Sequence, residues 1–290
     1  MQRLALGTAQ FGLDYGVANS QGQMPASEVG RILIAARIAG LEILDTAMGY
    51  GSSEQVLGDF GIEDFHIVTK LPGLPIGLVD VDQWVEQQIV SSCERLRASG
   101  LYALLLHRPA DLLSDKADAL ARSLKKLKEN HVVQKVGVSI YDPEELTPIE
   151  RILDIDLVQA PLNVIDRRLQ TSGWLHRLRE DGVEIHTRSA FLQGLLLMAR
   201  SDMPEKFERW SSMWDQWQRY LKDTEITALS ACLSYPLSLP EVDRVVVGVD
   251  SARQLDDILT AANSHNQSAD TSFMTSSDTQ LINPSKWSDL

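Results

Sequence analysis

The stretch Leu44-Asp45-Thr46-Ala47-Met48-Gly49-Tyr50-Gly51, residues 44–51, decides how this chain is expected to fold. Asp45 ends a short aliphatic run, and Tyr50 follows five positions later on the adjoining loop. Two further short apolar runs end in the same way, one leading to Lys70 and the other to His107. Side chains at the ends of parallel strands converge when the strands close into a barrel, and the active site of a barrel lies at that end. The sequence therefore predicts that these four side chains meet at one site.

The four residue types suit proton transfer to a carbonyl oxygen. A free tyrosine has a pKa of about 10 and is a poor proton donor at neutral pH. Lowering that pKa by about three units needs roughly 4 kcal/mol, which one ammonium about 4 Å away supplies at an effective dielectric near 20. Lys70 would supply this charge, and Asp45 would keep the lysine protonated. The set predicts a general acid for carbonyl reduction, in which Tyr50 gives the proton, His107 orients the carbonyl and a cofactor delivers the hydride.

Three stretches carry a resemblance to a known family: residues 44–51, Val68-Thr69-Lys70-Leu71-Pro72, and Leu105-Leu106-His107-Arg108-Pro109. Together they resemble the aldo-keto reductase superfamily, over a span from about Arg3 to Leu259. In that family the residues that match the four named above form the catalytic tetrad. The resemblance implies an NAD(P)H-dependent reductase that converts an aldehyde or ketone to an alcohol. Similarity to bacterial members further suggests a sugar-derived carbonyl as the small-molecule substrate.

The composition is that of an ordinary globular protein, with 44% hydrophobic and 23% charged residues in a chain of 290. Its 27 basic and 40 acidic residues give a net charge of −13, which argues against a nucleic-acid or anionic-membrane partner. Cys93 and Cys232 form no disulfide framework, and no apolar run approaches the ~20 residues of a membrane span. We therefore expect a cytoplasmic protein, and the sequence makes no prediction about its oligomeric state.

Short apolar strands alternate with amphipathic helices along the chain, which predicts an α/β protein with a parallel sheet covered by helices. The predicted strands are Leu4–Leu6, Glu42–Asp45, His66–Lys70, Tyr102–Leu106, Lys135–Val138, Leu157–Ala160, Val183–Thr187 and Arg244–Val247. The predicted helices are Ser27–Ala39, Ser53–Phe60, Val81–Ala98, Lys116–Asn130, Pro143–Leu153, Trp174–Glu180, Thr224–Ser234 and Ala252–Ala262. Eight of each in alternation predict a single-domain (β/α)8 TIM barrel over about residues 3–262, followed by an irregular tail over residues 263–290.

Two segments depart from the alternation. Residues 198–222 form an insertion after the seventh strand, where the spacing of Trp210, Trp214 and Trp217 predicts one helix face packed on the barrel rim. Direct substrate contact by these rings is the alternative. Residues 263–280 are rich in Ser, Thr, Asn and Asp and predict a loop. The family resemblance implies that the segment from Leu281 to Trp287 folds back over the site.

The cofactor site is predicted in the loops after the last two strands. Residues 7–12, Gly-Thr-Ala-Gln-Phe-Gly, lack the GxGxxG spacing, so a Rossmann site is unsupported. A barrel instead binds phosphate with the loops after strands seven and eight and a helix N-terminus. These loops are residues 188–195 and 248–254, and both are similar to pyrophosphate- and adenosine-binding loops of aldo-keto reductases.

The resemblance also places Ser139 and Gln159 on the nicotinamide carboxamide and stacks Arg188 on the nicotinamide ring. The residues predicted to bind the cofactor are Gly7, Thr8, Ser139, Gln159, Arg188, Ser189, Gln193, Gly194, Gly248, Asp250, Ser251 and Gln254.

Two departures from the family pattern concern that cofactor. Ile140 follows Ser139 where many members have Asn, which removes one hydrogen bond to the carboxamide. The loop that normally carries a Lys or Arg for a 2′-phosphate carries Asp250, and Arg253 is the only cation nearby in sequence. Because the family leans to NADPH, the predicted cofactor is NADP(H). NAD(H) stays open, since an acidic residue can accept a ribose hydroxyl.

The sequence also bears on other functional classes. The histidines other than His107 show no metal-ligand spacing, so no metal site is predicted. Among them His186 would either line the mouth of the site or be structural. A nucleotide-binding regulatory or sensor subunit with little turnover would keep the same four residues. A Schiff-base enzyme would use Lys70 as its nucleophile, which Asp45 disfavours because it keeps the amine charged.

Overall fold

The computed structural model describes residues 3–17, 19, 22–263 and 270–290, and it contains a closed barrel of eight parallel strands. Each strand pairs with the next along the chain, and β8 closes the barrel on β1. The strands are β1 (Leu4–Gly7), β2 (Ile43–Asp45), β3 (His66–Leu71), β4 (Leu101–Leu106), β5 (Val133–Ser139), β6 (Leu157–Pro161), β7 (Glu184–Arg188) and β8 (Arg244–Gly248). The predicted (β/α)8 TIM barrel is therefore confirmed.

Alternation of side chains along the strands fills the barrel from inside and packs it from outside. One buried cluster lies inside the barrel and consists of small and branched residues, namely Ala5, Ile43, Val68, Ala103, Leu105, Leu157 and Val246. Their strand neighbours point outward and join the larger cluster beneath the helices, as Leu44 and Leu104 do. The barrel interior is thus a packed core, and open space is found where the strands end.

The surrounding helices follow the strands in the expected alternation. The α-helices are α1 (Ala9–Gly12), α2 (Ala26–Ile38), α3 (Ser53–Asp59), α4 (Val81–Leu96), α5 (Ala117–Glu129), α6 (Leu146–Ile149), α7 (Arg168–Thr171), α8 (Trp174–Glu180), α9 (Ser211–Thr224), α10 (Ala228–Ser238), α11 (Ala252–Asn263) and α12 (Thr279–Ile282). Short 3-10 helices span Pro109–Leu113, Pro143–Glu145, Leu195–Leu197, Arg200–Asp202, Glu205–Trp210, Ser272–Met274 and Pro284–Asp289. No described helix is long and apolar enough to cross a bilayer.

Two predicted helices differ from the observed ones. The helix expected over Thr224–Ser234 begins at Ala228, because α9 runs on to Thr224 and ends at Glu225 with φ of +56°. Thr227 then caps the new helix by accepting a hydrogen bond from the Ser230 amide at 3.1 Å. The helix expected over Pro143–Leu153 is shorter, a 3-10 turn followed by α6.

The insertion packs its aromatic residues into the rim of the barrel. Trp214 and Trp217 are buried, and their indole N–H groups donate to the carbonyls of Phe207 and Leu196 at 2.9 and 3.0 Å. Buried indoles with satisfied N–H groups are structural anchors. The predicted helix face on the rim is therefore present, and substrate contact by these two rings is not.

The tail docks on that insertion. Trp287 is buried and meets the ring of Phe207 edge-on at 4.8 Å, and Leu281 is buried beside it. The expectation that Leu281 to Trp287 covers the site is wrong, because this segment packs against the insertion and none of its residues lines the cavities at the strand ends. Residues 264–269, part of the loop predicted over residues 263–280, lie outside the described residues.

Candidate active site

The candidate site is a ring of inward-facing residues at the carboxyl ends of the strands. Strand register places Gly7 beside both Asp45 and Gly248, and Ser139 beside Gln159. The ring is completed by Lys70 on β3, His107 just after β4 and Arg188 at the end of β7. Tyr50 reaches it from the loop between β2 and α3. Both the predicted catalytic residues and several predicted cofactor residues thus lie in one layer.

A buried ion pair forms the floor of this site. Lys70 is 1% exposed, and its Nζ donates to Asp45 Oδ1 at 2.7 Å and to the Thr46 carbonyl at 2.8 Å. The other oxygen of Asp45 accepts a hydrogen bond from Gln159 Nε2 at 2.7 Å. Burial opposes the charge of Lys70, but Asp45 and then Tyr50 outweigh it and raise the pKa of the lysine above its usual value. The ammonium is therefore fixed in place and stays charged.

Tyr50 and His107 lie above that ammonium and face a cavity. Lys70 Nζ is 5.1 Å from the centroid of the Tyr50 ring, and the rings of Tyr50 and His107 meet edge-on with centroids 5.8 Å apart. Both side chains line the cavity, and no described residue forms a hydrogen bond with the Tyr50 hydroxyl or with the His107 ring. These two polar groups are accordingly available to a ligand.

His107 is held in its neutral form. Burial lowers the pKa of its imidazole to about 4, and the positive charges of Lys70 and Arg188 add to the effect, while Asp45 offsets part of it. A neutral imidazole keeps one N–H donor and one acceptor, so at neutral pH it can donate a hydrogen bond without carrying charge.

Close backbone contacts fix the loop that carries Tyr50. A Cβ at Gly12 would lie 1.9 Å from the Tyr50 carbonyl oxygen, so only glycine fits against this loop. Gly51 has φ of +54°, a left-handed conformation that glycine adopts without strain. Beneath the loop, Ser53 Oγ donates to the Thr8 carbonyl at 2.9 Å. These contacts set the height of the phenol above Lys70.

Arg188 brings a second cation to the cavity. Its Nη2 donates to the Ile140 carbonyl at 2.9 Å, and its guanidinium lies 4.4 Å from the centroid of the Tyr141 ring. Among the described residues no carboxylate forms an ion pair with it. Ile140, the residue that departs from the family pattern, thus uses its backbone carbonyl to orient this guanidinium.

Two adjoining cavities extend from this site. The inner cavity is lined by Gly7, Thr8, Ala9, Gln10, Tyr15, Asp45, Tyr50, His107, Ser139, Tyr141, Arg188, Ser189, Ala190, Phe191, Gln193, Val246 and Gly248. The outer cavity is lined by Gln10, Tyr15, Gly16, Asn19, Phe191, Gln193, Gly194, Leu197, Met198, Ala228, Leu229, Gly248, Asp250, Gln254, Asp257 and Ile258. Five residues line both cavities, so together they form one elongated cleft from the ion pair to the start of α11.

Ten of the twelve predicted cofactor residues line this cleft, and two do not. Gln159 lies below it and holds Asp45. Ser251 caps α11 instead, where its Oγ accepts a hydrogen bond from the Gln254 amide at 3.1 Å. Sequence reasoning missed Gln10 and Tyr15, which line both cavities. Their position in the first loop after β1 was the available signal, because every loop at this end of a barrel can reach the site.

The loop after β7 holds its residues in a strained backbone conformation. Ser189, Leu192 and Gln193 have φ of +63°, +48° and +53°, and Gly194 follows with +88°. A left-handed conformation costs a non-glycine residue about 1–2 kcal/mol, and such strain clusters at ligand clamps. This loop lines both cavities.

The residues present fit a nicotinamide dinucleotide. Such a ligand is long and has an amide at one end and phosphates in the middle. The cleft is elongated, Ser139 offers a hydroxyl near Tyr50 and His107, and Arg188 offers a cation where no described carboxylate pairs with it. The strained loop after β7, which lines both cavities, lies where barrels bind phosphate.

Other candidate groups lie outside this site. His186 is buried inside the barrel, where its Nε2 bonds to Glu184 Oε1 at 2.6 Å, and it lines neither cavity. In the described part of the chain no three His, Cys, Asp or Glu side chains are grouped to hold a metal ion. Burial raises the pKa of both Cys93 and Cys232, as expected for inert thiols.

The fold and this site together define a (β/α)8 barrel whose polar cleft lies at the carboxyl ends of its strands. A sequence model of the Aldo/keto reductase family matches residues 3–276. The chain therefore belongs to the aldo/keto reductase family, whose members are oxidoreductases that use nicotinamide cofactors.

Curated relatives and solved structures agree with this assignment. A D-threo-aldose 1-dehydrogenase from a Pseudomonas species is 28% identical, with 87% of this chain and 89% of the relative covered. An NADH-specific methylglyoxal reductase from Escherichia coli is 21% identical, with 94% of each chain covered. An aldo-keto reductase from Bacillus halodurans, solved in a holo form, superimposes with a TM-score of 0.74 at 20% identity, covering 94% of this chain and 90% of that one. This structural likeness supports the fold.

Proposed function

We propose that this protein uses a reduced nicotinamide dinucleotide to convert an aldehyde or ketone to an alcohol, with Tyr50 as the general acid. The observation that carries the proposal is the position of the Lys70 ammonium. Asp45 binds it and holds it beneath the Tyr50 ring, close to His107, which is neutral. This arrangement lies at the inner end of the cleft and suits proton delivery to an oxygen.

Each side chain has a distinct part in that reaction. The charge of Lys70 stabilises the phenolate that Tyr50 becomes when it gives up its proton, so it lowers the cost of the transfer. His107, neutral at physiological pH, donates a hydrogen bond to the carbonyl oxygen and holds it near the phenol. Asp45 keeps Lys70 charged and in position. When bound, the dinucleotide supplies the hydride that reduces the carbonyl carbon.

The cofactor would be held along the cleft by residues at the ends of several strands and in the loops that follow them. Ser139 and Arg188 lie at the inner end beside Tyr50 and His107. Ser189, Gln193 and Gly194 come from the strained loop after β7 and lie between the two ends. Gly248 at the end of β8, Asp250 in the loop that follows and Gln254 on α11 line the outer end. The backbone at Gly7 and Thr8 closes the inner cavity below.

A small hydroxylated carbonyl compound, such as one derived from a sugar, is the proposed substrate class. Polar side chains face the inner cavity around Tyr50, among them Gln10, Tyr15 and Tyr141. The names of two relatives, an aldose dehydrogenase and a methylglyoxal reductase, point to small oxygen-rich carbonyl compounds. Polar groups that can bond substrate hydroxyls discriminate strongly against analogues that lack them.

Schiff-base chemistry is disfavoured by the state of Lys70. A nucleophilic amine must lose its proton, but Asp45 and Tyr50 raise the pKa of this lysine. The amine is also buried beneath Tyr50 and lines neither cavity.

Tyr50→Phe tests the acid assignment. Turnover of NADH or NADPH with methylglyoxal and a panel of aldoses should fall by about 10²–10⁴-fold, because the variant lacks the proton donor. Cofactor affinity, measured by fluorescence titration, should stay within about twofold. The matched control is Tyr102→Phe, which removes a hydroxyl at the other end of the barrel and should leave turnover nearly unchanged. Wild-type turnover in Tyr50→Phe would overturn the assignment.

A further inference from the structure

The outer cavity is acidic where a phosphorylated ligand would need positive charge. Asp250 and Asp257 line it, and no described lysine or arginine does. Arg253, the cation that the sequence offered for a 2′-phosphate, is exposed on the first turn of α11 and lies outside the lining. The rest of the wall combines apolar residues such as Leu229 and Ile258 with uncharged polar residues such as Gln193 and Gln254. A planar uncharged group suits this cavity, and an added anion does not.

The backbone amides at the start of α11 form the natural anion site of this region, but they already donate hydrogen bonds to acceptors within the protein. The Ala252 amide donates to Glu28 Oε1 at 2.7 Å, so a carboxylate of α2 sits on the positive end of the helix. This bond is the main reason that the pKa of Glu28 is lowered, and Arg31 adds an ion pair on its outer side. The Gln254 amide donates to Ser251 Oγ. A further anion would find these amides already engaged.

Asp250 lies at the outer end of the cleft. Its backbone amide donates to Gln254 Oε1 at 2.7 Å, which ties the loop after β8 to α11. Its side chain is half-buried at the edge of the outer cavity. A carboxylate in such a position accepts a hydrogen bond from a ribose 2′-hydroxyl, whereas it repels a 2′-phosphate.

We propose that this protein selects NAD(H) over NADP(H), and that Asp250 is the residue that sets the preference, with Asp257 adding to it. The inference rests on the proposed function, because it takes the cleft to be the dinucleotide site. It reverses the preference for NADP(H) that the family resemblance suggested from sequence. The reason is local: the carboxylates at the outer end repel the 2′-phosphate, and no described cation lines the cavity to compensate.

Equilibrium binding tests the proposal without reference to turnover. NADH and NADPH are titrated separately into the wild-type protein, with the quenching of tryptophan fluorescence as the signal. NADH should bind at least about tenfold more tightly, since 1.4 kcal/mol of repulsion is a tenfold difference. Asp250→Ser should reduce that ratio by about fivefold, mainly by tightening NADPH. Asp257→Asn, a second variant, should reduce it less.

The matched control is Asp256→Asn. Asp256 lies on the same helix, is exposed and does not line the cavity, so its loss changes net charge equally but leaves the site intact. The ratio in this variant should stay within about twofold of wild type, since exposed charges are screened by salt. An equal change in Asp250→Ser and Asp256→Asn would overturn the role of Asp250.

The remaining outcomes separate the two proposals. Tighter binding of NADPH than of NADH by the wild type would overturn the preference and leave the proposed reductase function standing. Binding of neither dinucleotide would overturn the reductase proposal itself, and the preference with it. Thermal unfolding of each variant checks that the fold is kept.

Discussion

The two ends of the barrel carry the same four kinds of side chain in different states. At the carboxyl end of the strands, Lys70 pairs with a carboxylate and lies 5.1 Å from the centroid of a tyrosine ring. At the amino end, Lys135 pairs with Glu184 and lies 5.0 Å from the centroid of the Tyr102 ring. Each set also includes a histidine, His107 at one end and His186 at the other.

The difference lies in which polar groups are already satisfied. The Tyr102 hydroxyl donates to Glu184 Oε2 at 2.6 Å, and His186 bonds to the other oxygen of the same carboxylate. Burial opposes the charge of Glu184, but the hydrogen bonds from His186, Lys135 and Tyr102 outweigh it and lower the pKa of Glu184 to about 2. At the amino end, the hydroxyl and the ammonium thus bond to the carboxylate within the set, and His186 uses its Nε2 in the same way, while its Nδ1 has no partner among the described residues.

At the carboxyl end, the carboxylate binds Lys70 and Gln159 and leaves the phenol and the imidazole to the cavity. Residue types alone therefore do not make an active site. An active site needs polar groups that the fold orients but leaves without a hydrogen-bond partner. The free energy that such unpaired groups cost is offset by the stability of the surrounding structure.

Matched substitutions at the two ends of the barrel are expected to differ most in their effect on turnover. Lys70→Met removes the charge that favours the Tyr50 phenolate, so turnover with methylglyoxal or an aldose should fall by about 10²–10⁴-fold. Lys135→Met is the matched change at the amino end and should keep turnover within about threefold. Steady-state kinetics of both variants makes the comparison. Equal losses would show that the amino-end set takes part in the reaction.

A smaller difference is expected in acid stability. Because the pKa of Glu184 is lowered in the folded protein, its stabilising effect is present above the unfolded value of 4.5 and is lost as the pH falls toward 2. Glu184→Gln should therefore lower the free energy of unfolding at pH 7 by about 1–2 kcal/mol, allowing for solvent screening, and by less at pH 3.

Urea unfolding at the two pH values measures this effect. Glu180→Gln, at an exposed position of α8, is the control and should change little at either pH. The stabilising role of the hydrogen bonds to Glu184 would be refuted if Glu184→Gln lowered the free energy of unfolding as much at pH 3 as at pH 7.

The smallest expected effect is a change in the pKa of His107. The His107 ring should titrate near pH 4 in an NMR experiment, because burial and the nearby cations disfavour its charged form. The folded value lies below the unfolded value of 6.5, so this group leaves stability constant above pH 6.5 and lowers it as the pH falls from 6.5 to 4. Lys70→Met should move the titration toward 6.5, and Lys135→Met should not. An unshifted His107 in Lys70→Met would mean that Lys70 has no electrostatic influence on the ring.

The sequence predicted the fold well because its signals are local. Short apolar runs and amphipathic segments mark where strands and helices lie, and their alternation admits few topologies. All eight strands lie where they were predicted, to within two residues at either end. The seventh barrel helix was misplaced because the insertion helix extends through the start that its composition suggested.

For the site, the chain order of Asp45, Tyr50, Lys70 and His107 was enough to place them at neighbouring strand ends. The sequence did not reveal that Gln10 and Tyr15 line the same cleft, nor that Trp287 docks on the insertion. These contacts join residues far apart in the chain, and no local pattern encodes them.

The sequence by itself determined which residues stand at the strand ends, because strand periodicity and chain order are local properties. The chain has two sets that each combine a lysine, a carboxylate, a tyrosine and a histidine. Only the tertiary structure decided which set leaves its tyrosine and histidine available to a ligand. That choice depends on where the barrel leaves space: the amino-end hydroxyl and imidazole are bonded to Glu184, whereas Tyr50 and His107 face an open cleft. Hydrogen-bond satisfaction across a closed barrel is a property of three-dimensional packing.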